Sequence, residues 1–135
     1  MRALRQGLTA TATLVAAGLL TACQTSGPGN LTLKSSEAAL PTMERIALAA
    51  SKCWFKSGER SFRAYRLAPE LNSFSGRPRI LIVPRNRPED RPLAVVEGEG
   101  NPATVNAYGP LLFEATGSRM TADIKRWTSG STACA

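Results

Sequence analysis

The side chains with the widest chemical range in this chain are three cysteines, Cys23, Cys53 and Cys134. A thiol can carry a lipid, form a disulfide or bind a metal, and none of the three stands in a Cys-x-x-Cys pair. The chain has no histidine, which is the side chain most used for proton transfer near neutral pH and the commonest metal ligand. Ser-His-Asp and Cys-His nucleophilic systems and His-containing zinc sites therefore cannot be built from this chain alone, and we expect no cofactor and no catalytic residue.

Cys23 follows an N-terminal segment that has three regions. Arg2 and Arg5 make a basic start, residues 8–20 are apolar apart from threonines and a glycine, and small residues precede the cysteine. This order is typical of an export signal peptide. The apolar stretch is shorter than the roughly 20 residues that a permanent membrane span needs.

The tetrapeptide Leu20-Thr21-Ala22-Cys23 resembles the lipobox of bacterial lipoproteins, in which a branched apolar residue and two small residues precede the modified cysteine. The resemblance implies that residues 1–22 are a signal peptide and that Cys23 becomes the lipid-carrying N-terminus. Two or three acyl chains make a stable anchor, whereas one is marginal. The alternative is an ordinary secretory signal with a cysteine nearby by chance.

The residue after the modified cysteine indicates the destination. In Gram-negative lipoproteins an Asp at this position resembles the inner-membrane retention signal, and here the position holds Gln24. For a Gram-negative host, the resemblance therefore implies lipid anchoring at the periplasmic face of the outer membrane.

With Cys23 assigned to lipid, Cys53 and Cys134 remain in a protein exported to an oxidising compartment, and we expect them to form a disulfide. The closed loop would cover nearly the whole folded domain, for which the chain-entropy treatment gives about 4 to 5 kcal/mol of stabilisation at most. Two buried free thiols are the alternative. Two thiolates without histidine do not make a zinc cage, so no metal site is predicted.

The most unusual feature of the chain after the predicted signal peptide is a cluster of arginines. Eight of these residues fall within a short stretch: Arg60, Arg63, Arg66, Arg77, Arg79, Arg85, Arg87 and Arg91. Guanidinium groups bind phosphate and carboxylate in bidentate geometry, which would suit a lipid head group, an acidic polysaccharide or an acidic protein surface. The candidate binding residues are Arg63, Arg66, Arg77, Arg79, Arg85 and Arg87. The alternative is that they are solvated strand edges and loop tips paired with neighbouring carboxylates.

Charge agrees with an anionic neighbour but does not identify it. The chain has 17 Lys plus Arg against 10 Asp plus Glu, and removal of Arg2 and Arg5 with the signal leaves 15 against 10. Such a surplus bears on association and solubility rather than on chemistry. Nucleic acid is not an expected partner for a periplasmic protein.

Two carboxylates and two indoles are further candidates. Glu97 and Glu99 would share one face of a strand, but no neighbouring nucleophile or apolar pocket is evident, so we interpret them as structural. Trp54 and Trp127 lie on helix faces directed to the core, and we interpret them as packing anchors.

The elements that position these residues follow from the hydrophobic pattern. Residues 23–36 are rich in Ser, Thr, Gly, Pro and Asn and predict a flexible tether. Apolar residues recur at helical spacing over 41–54 and over 120–128, which predicts an N-terminal and a short C-terminal helix. The tail after the second helix would return so that Cys134 reaches Cys53.

Between the helices the sequence consists of short segments in which apolar and polar residues alternate or β-branched residues are frequent, and this predicts four strands. These are residues 61–67, 79–83, 93–97 and 104–108. Their short, turn-rich connections favour an antiparallel meander. The predicted fold class is α+β, with residues 37–135 forming one domain in which helices cover one face of a four-stranded antiparallel sheet.

The anchor, the tether, the arginines and the missing catalytic groups predict a non-catalytic cell-envelope lipoprotein that binds a protein or an anionic envelope component. One alternative is an inhibitor or accessory factor of an exported enzyme. Its target would be acidic, because like charges oppose encounter with a basic enzyme such as lysozyme. The other alternative is an envelope hydrolase, which would have to work without histidine.

Overall fold

The protein is described here by a computed structural model that covers residues 27–135. The predicted signal peptide, residues 1–22, and the predicted lipid carrier Cys23 lie outside the described residues. Over the described range the chain has the α+β class, with one antiparallel sheet of five strands and two α-helices. Within the same range no helix is both long and apolar enough to cross a bilayer.

The sheet has the spatial order β1-β5-β4-β3-β2, and every neighbouring pair is antiparallel. The strands are β1 (Leu31–Lys34), β2 (Tyr65–Glu70), β3 (Arg79–Pro84), β4 (Ala94–Glu99) and β5 (Thr104–Tyr108). The helices are α1 (Ala39–Ala50), which one π turn extends over Ser51–Phe55, and α2 (Ala115–Thr128). Strands β2 to β5 form the predicted meander, and β1 and β2 are the two edges.

The prediction of four strands was wrong by one, because a strand lies inside the predicted tether. Leu31 and Leu33 of β1 stand opposite Ala107 and Val105 of β5 and pack against the core. The backbone N–H of Gly27 already donates to the Phe113 carbonyl at 2.8 Å. Two leucines at period two were sufficient to pair with the free edge of β5, and the surrounding Ser, Gly and Asn obscured this pattern.

Other predicted boundaries shift by a few residues. Residues 60–62 form a 3-10 turn rather than the beginning of a strand, and β2 starts at Tyr65. The C-terminal helix starts at Ala115 rather than at residue 120, since Gly117 lets this first turn lie against the Leu112 backbone, where a Cβ would come within 2.1 Å of the carbonyl oxygen. The apolar periodicity indicates only the part of this helix that carries large buried side chains, because the first turn has none.

The core lies between the sheet and the two helices. Strands β3, β4 and β5 contribute alternate apolar side chains to this face, and the helices contribute the largest ones. Trp54 stacks on Phe62 with ring centroids 4.9 Å apart and contacts Trp127 at 5.0 Å. Both tryptophans are buried, as their interpretation as packing anchors requires.

Cys53 and Cys134 form the predicted disulfide, with their Cα atoms 5.4 Å apart. It joins the π turn after α1 to the C-terminal tail. The tail is also held by the Trp127 indole N–H, which donates to the Ala133 carbonyl at 2.9 Å. The returning tail that the sequence predicted is therefore present.

Replacing both bridge cysteines by alanine should lower the free energy of unfolding by about 3 to 4.5 kcal/mol, because the bridge closes a loop of 81 residues in the unfolded chain. Urea unfolding followed by tryptophan fluorescence measures this. Cys134→Ala alone is the matched control, since it also removes the bridge and should be about as destabilised as the double variant. A loss below about 1 kcal/mol in both would contradict the chain-entropy account.

Candidate functional site

The structure divides the six candidate arginines among three places. Arg77 and Arg79 lie on or beside the sheet face opposite the helices, which we call the open face, and there they are neutralised. Arg79 Nε is 2.6 Å from Glu70 Oε2, and Arg77 Nε is 3.2 Å from Glu99 Oε2. Glu97 lies 3.8 Å from Arg77 on the same face. Arg77 and Arg79 therefore agree with the alternative interpretation, in which the arginines are strand and loop residues paired with neighbouring carboxylates.

Glu97 also ties Tyr108 into the open face. The Tyr108 hydroxyl donates to Glu97 at 3.4 Å. Burial and then the Glu97 charge raise the pKa of Tyr108 above its ordinary value, against the opposing charges of Arg79 and Arg77. Both Glu97 and Glu99 are thus engaged with arginine, which agrees with their interpretation as structural residues.

Arg87 stands apart in the connection between β3 and β4, where it pairs with Asp90 at 3.2 Å and is largely exposed. The remaining three candidates, Arg63, Arg66 and Arg85, come together where β2 begins and β3 ends. The Arg85 guanidinium donates to the Arg63 carbonyl at 2.7 Å. Among residues 27–135, none of these three has a carboxylate partner within 4.0 Å.

A groove of about 760 Å³ runs between α1 and β2, and we call it the edge groove. Its helix side includes Leu48 and Phe55, and its sheet side includes Tyr65, Leu67 and Leu71. Leu48 is 74% exposed, so its side chain adds accessible apolar surface to the helix side of the groove. The groove exists because α1 packs mainly on β4 and β3, so that only the π turn after α1 contacts the outer strand β2.

The edge groove is electrically asymmetric. Lys56, Arg66 and Arg85 line it towards the end where β2 begins. Glu44, in the first half of α1, lines it towards the other end. An apolar channel with cations at one end suits a ligand that is apolar along its length and anionic at one end.

A second polar cluster, which the sequence interpretation missed, surrounds the buried carboxylate of Asp123. The Trp54 indole N–H donates to Oδ2 at 2.8 Å, Arg119 Nε donates to the same oxygen at 2.7 Å, and Arg126 donates to Oδ1 at 2.6 Å. Arg119 also reaches Glu59 at 3.0 Å. The spacing Arg119, Asp123, Arg126 on one helix was the available signal.

The donors decide the protonation state of this carboxylate. Burial alone raises the pKa of Asp123, but the hydrogen bonds from Trp54, Arg126 and Arg119, together with the Arg119 charge, outweigh burial and hold the pKa below its ordinary value. Asp123 is therefore ionised at neutral pH and fully used by its partners. It joins α1, α2 and the turn after α1 and offers no free acid or base.

Comparison of the chain with models of known protein families, with curated proteins and with solved structures found no match. Within the described part of the chain there is also no group of three or more Cys, Asp or Glu side chains that could hold a metal ion. The edge groove is therefore the candidate functional site on the strength of its own geometry.

Asp123→Asn should lower the free energy of unfolding by roughly 3 to 5 kcal/mol at neutral pH, because it leaves two arginines at a site built for a charge. The folded-state pKa is depressed, so the native carboxylate stabilises above the ordinary pKa of 3.8 and loses this effect as the pH falls through the folded-state value. The difference between wild type and variant should therefore be constant near neutrality and shrink below about pH 4. Glu59→Gln, at the exposed side of Arg119, is the control and should cost less than about 1 kcal/mol. A difference that does not change with pH would show that the charge of Asp123 is not the stabilising feature.

Proposed function

We propose that the mature chain is a non-catalytic lipoprotein, anchored through Cys23 at the periplasmic face of the outer membrane, whose domain lies against the membrane and binds an envelope protein in the edge groove. The observation that carries this proposal is the position of Gly27. The first described residue lies at the same end of the sheet as most of the arginines.

The topology supports this placement. The backbone N–H of Gly27 donates to the Phe113 carbonyl, just after the end of β5. Neighbouring strands are antiparallel, so this end of the sheet holds the last residues of β3 and β5. It also holds the first residues of β1, β2 and β4. We call it the basic end, because the segments there carry Arg60, Arg63, Arg85, Arg87 and Arg91. Of the eight clustered arginines, Arg77 alone lies in a connecting segment at the opposite end.

The proposed anchor would bring the basic end to the membrane. Cys23 precedes Gly27 by four positions, and four residues span at most about 14 Å. That reach is comparable with the screening length of about 8 to 10 Å in physiological salt, so exposed arginines would sense anionic head groups. Each cation near such a surface contributes about 1 kcal/mol of attraction.

A binding role agrees with the state of the ionisable groups. The two carboxylates considered above for acid-base chemistry, Glu97 and Glu99, and the buried carboxylate of Asp123 are engaged with arginines. General acid-base catalysis needs a group whose pKa lies near the working pH, and Asp123 is displaced in the other direction. The unpaired arginines and the exposed apolar wall of the edge groove are instead free to make contacts.

Cys23→Ser should lack the added acyl mass, because the acyl chains have no other attachment in this proposal. It should also keep residues 1–22, because in the family that the lipobox resembles the cut before the cysteine follows lipid attachment. Intact-mass measurement of the purified protein tests this, with Thr25→Ser as the control that should carry the lipid mass and lack residues 1–22. A Cys23→Ser protein with the same added mass would refute the anchor.

The orientation has a separate test that uses two loop tips at opposite ends of the sheet. A photoreactive benzoylphenylalanine at position 86, in the basic-end connection after β3, should cross-link to phospholipid in intact membranes. The same amino acid in place of Phe74, whose side chain is fully exposed in the β2–β3 connection, should not, because a strand of six residues separates the two ends by about 20 Å. Equal lipid cross-linking at both positions would refute the orientation.

A further inference from the structure

We propose that the edge groove binds an extended polypeptide segment that pairs with β2 as a sixth strand and places an acidic residue beside Arg66 and Arg85. This inference rests on the proposed function for the identity of the partner as an envelope protein. It goes further by stating how that partner is held and which kind of segment is recognised.

The first step is the hydrogen-bond register of β2. The backbone N–H of Arg85 donates to the Ala64 carbonyl at 2.8 Å, so these two residues form a hydrogen-bonded pair. In an antiparallel ladder such pairs alternate with pairs whose backbone N–H and carbonyl groups point away from each other. Alternate residues of β2 after Ala64 therefore bond to β3, namely Arg66, Ala68 and Glu70.

The residues between them present the free edge. The pairs that Tyr65, Leu67 and Pro69 form with β3 residues have no mutual hydrogen bonds. The free backbone groups of these three residues therefore lie in the plane of the sheet and point away from β3. Tyr65 and Leu67 each offer an N–H and a carbonyl, whereas Pro69 has no N–H to offer. Proline is tolerated in a sheet at such an edge position. The free edge is thus short and begins at the cationic end.

The second step is the space above that edge. A strand added to β2 would lie about 4.8 Å beyond it, along the open side of the edge groove that α1 and the π turn form with β2. Leu48, Phe55 and Leu71 already line this space without filling it. Alternate side chains of an added strand would point to these residues, so an occupant with apolar residues at every second position would complete the helix-on-sheet layer.

The third step is charge, which selects among occupants. An acidic residue of the added strand that faces the same side as Arg66 would meet Arg66 and Arg85 near the beginning of β2, and neither has a carboxylate partner among residues 27–135. Lys56 adds a positive charge on the helix side of the same end. A second copy of this basic chain is a poorer occupant, because Arg66 and Pro69 are features that discourage pairing between identical edges. An acyl chain would fill the apolar space but would leave the backbone groups of Tyr65 and Leu67 unbonded.

The test exploits the outward direction of the Leu67 N–H. Leu67→Pro removes this donor without removing a bond of the sheet, and Leu67→Ala is the matched control that loses the same side chain but keeps the donor. The full-length lipoprotein in detergent is used to select binders from a random octapeptide library displayed on phage. Selected peptides are then titrated against wild type and both variants, after thermal unfolding confirms that each variant is folded.

We expect selected peptides to combine alternating apolar residues with an acidic residue, and to bind Leu67→Pro about tenfold more weakly than Leu67→Ala. In wild-type protein, hydrogen exchange at the Tyr65 and Leu67 amides should be fast in the free state and protected by peptide. This second readout does not depend on the folding of any variant. Protection confined to other amides, or equal affinity for the two variants, would overturn strand addition.

Other occupants give distinct results that also overturn it. Sedimentation experiments could show a dimer of the lipoprotein. If Leu67→Pro dissociated this dimer and Leu67→Ala did not, the groove would be assigned to a second copy. Displacement of peptide by phosphatidylglycerol-containing vesicles, with unchanged amide exchange at Tyr65 and Leu67, would assign it to lipid. The proposed function has separate tests. The loss of the acyl mass in Cys23→Ser and the lipid cross-linking at position 86 do not involve β2, so both can hold while strand addition fails.

Discussion

The buried carboxylate of Asp123 is the interaction on which the arrangement of the helices depends. An ionised group without solvent must be matched by donors, and here Trp54 comes from the end of α1 while Arg119 and Arg126 come from α2. Satisfying one charge therefore fixes one helix against the other. The same contact seats Trp54 in the aromatic cluster, next to Cys53 and its disulfide. The stabilising elements of the domain thus converge on the end of α1.

The position of α1 in turn creates the candidate site. Held at its end by α2 and the tail, the helix lies over the middle of the sheet rather than over β2. The outer strand is left with apolar side chains covered from one side only. Leu48, on the side of α1 that lines the groove, is exposed. The edge groove is a consequence of helix placement that satisfies a charge elsewhere in the molecule.

The sequence predicted what depends on local periodicity and missed what depends on distant partners. The α+β class, the meander from β2 to β5, both helices and the Cys53–Cys134 bridge all followed from patterns within short windows or from cysteine number. Strand β1 did not, because four residues become a strand only when the edge of β5 is available to them. The arginines show the same limit: Arg79 and Arg85 each follow a proline, and the sequence does not show that one lies beside Glu70 and the other at the groove.

The antiparallel pairing of β1 with β5 also determines how the domain bears mechanical load. A pull on Gly27 along the axis of β1 would load this strand directly, because the chain enters the sheet at the beginning of that strand. The β1–β5 hydrogen bonds run across this direction, so they are sheared together instead of being peeled apart singly. Cys53 lies well after β1 in the chain, so the covalent loop that encloses the core does not carry this load. The edge strand therefore serves as the mechanical coupling between the folded domain and whatever holds its N-terminus.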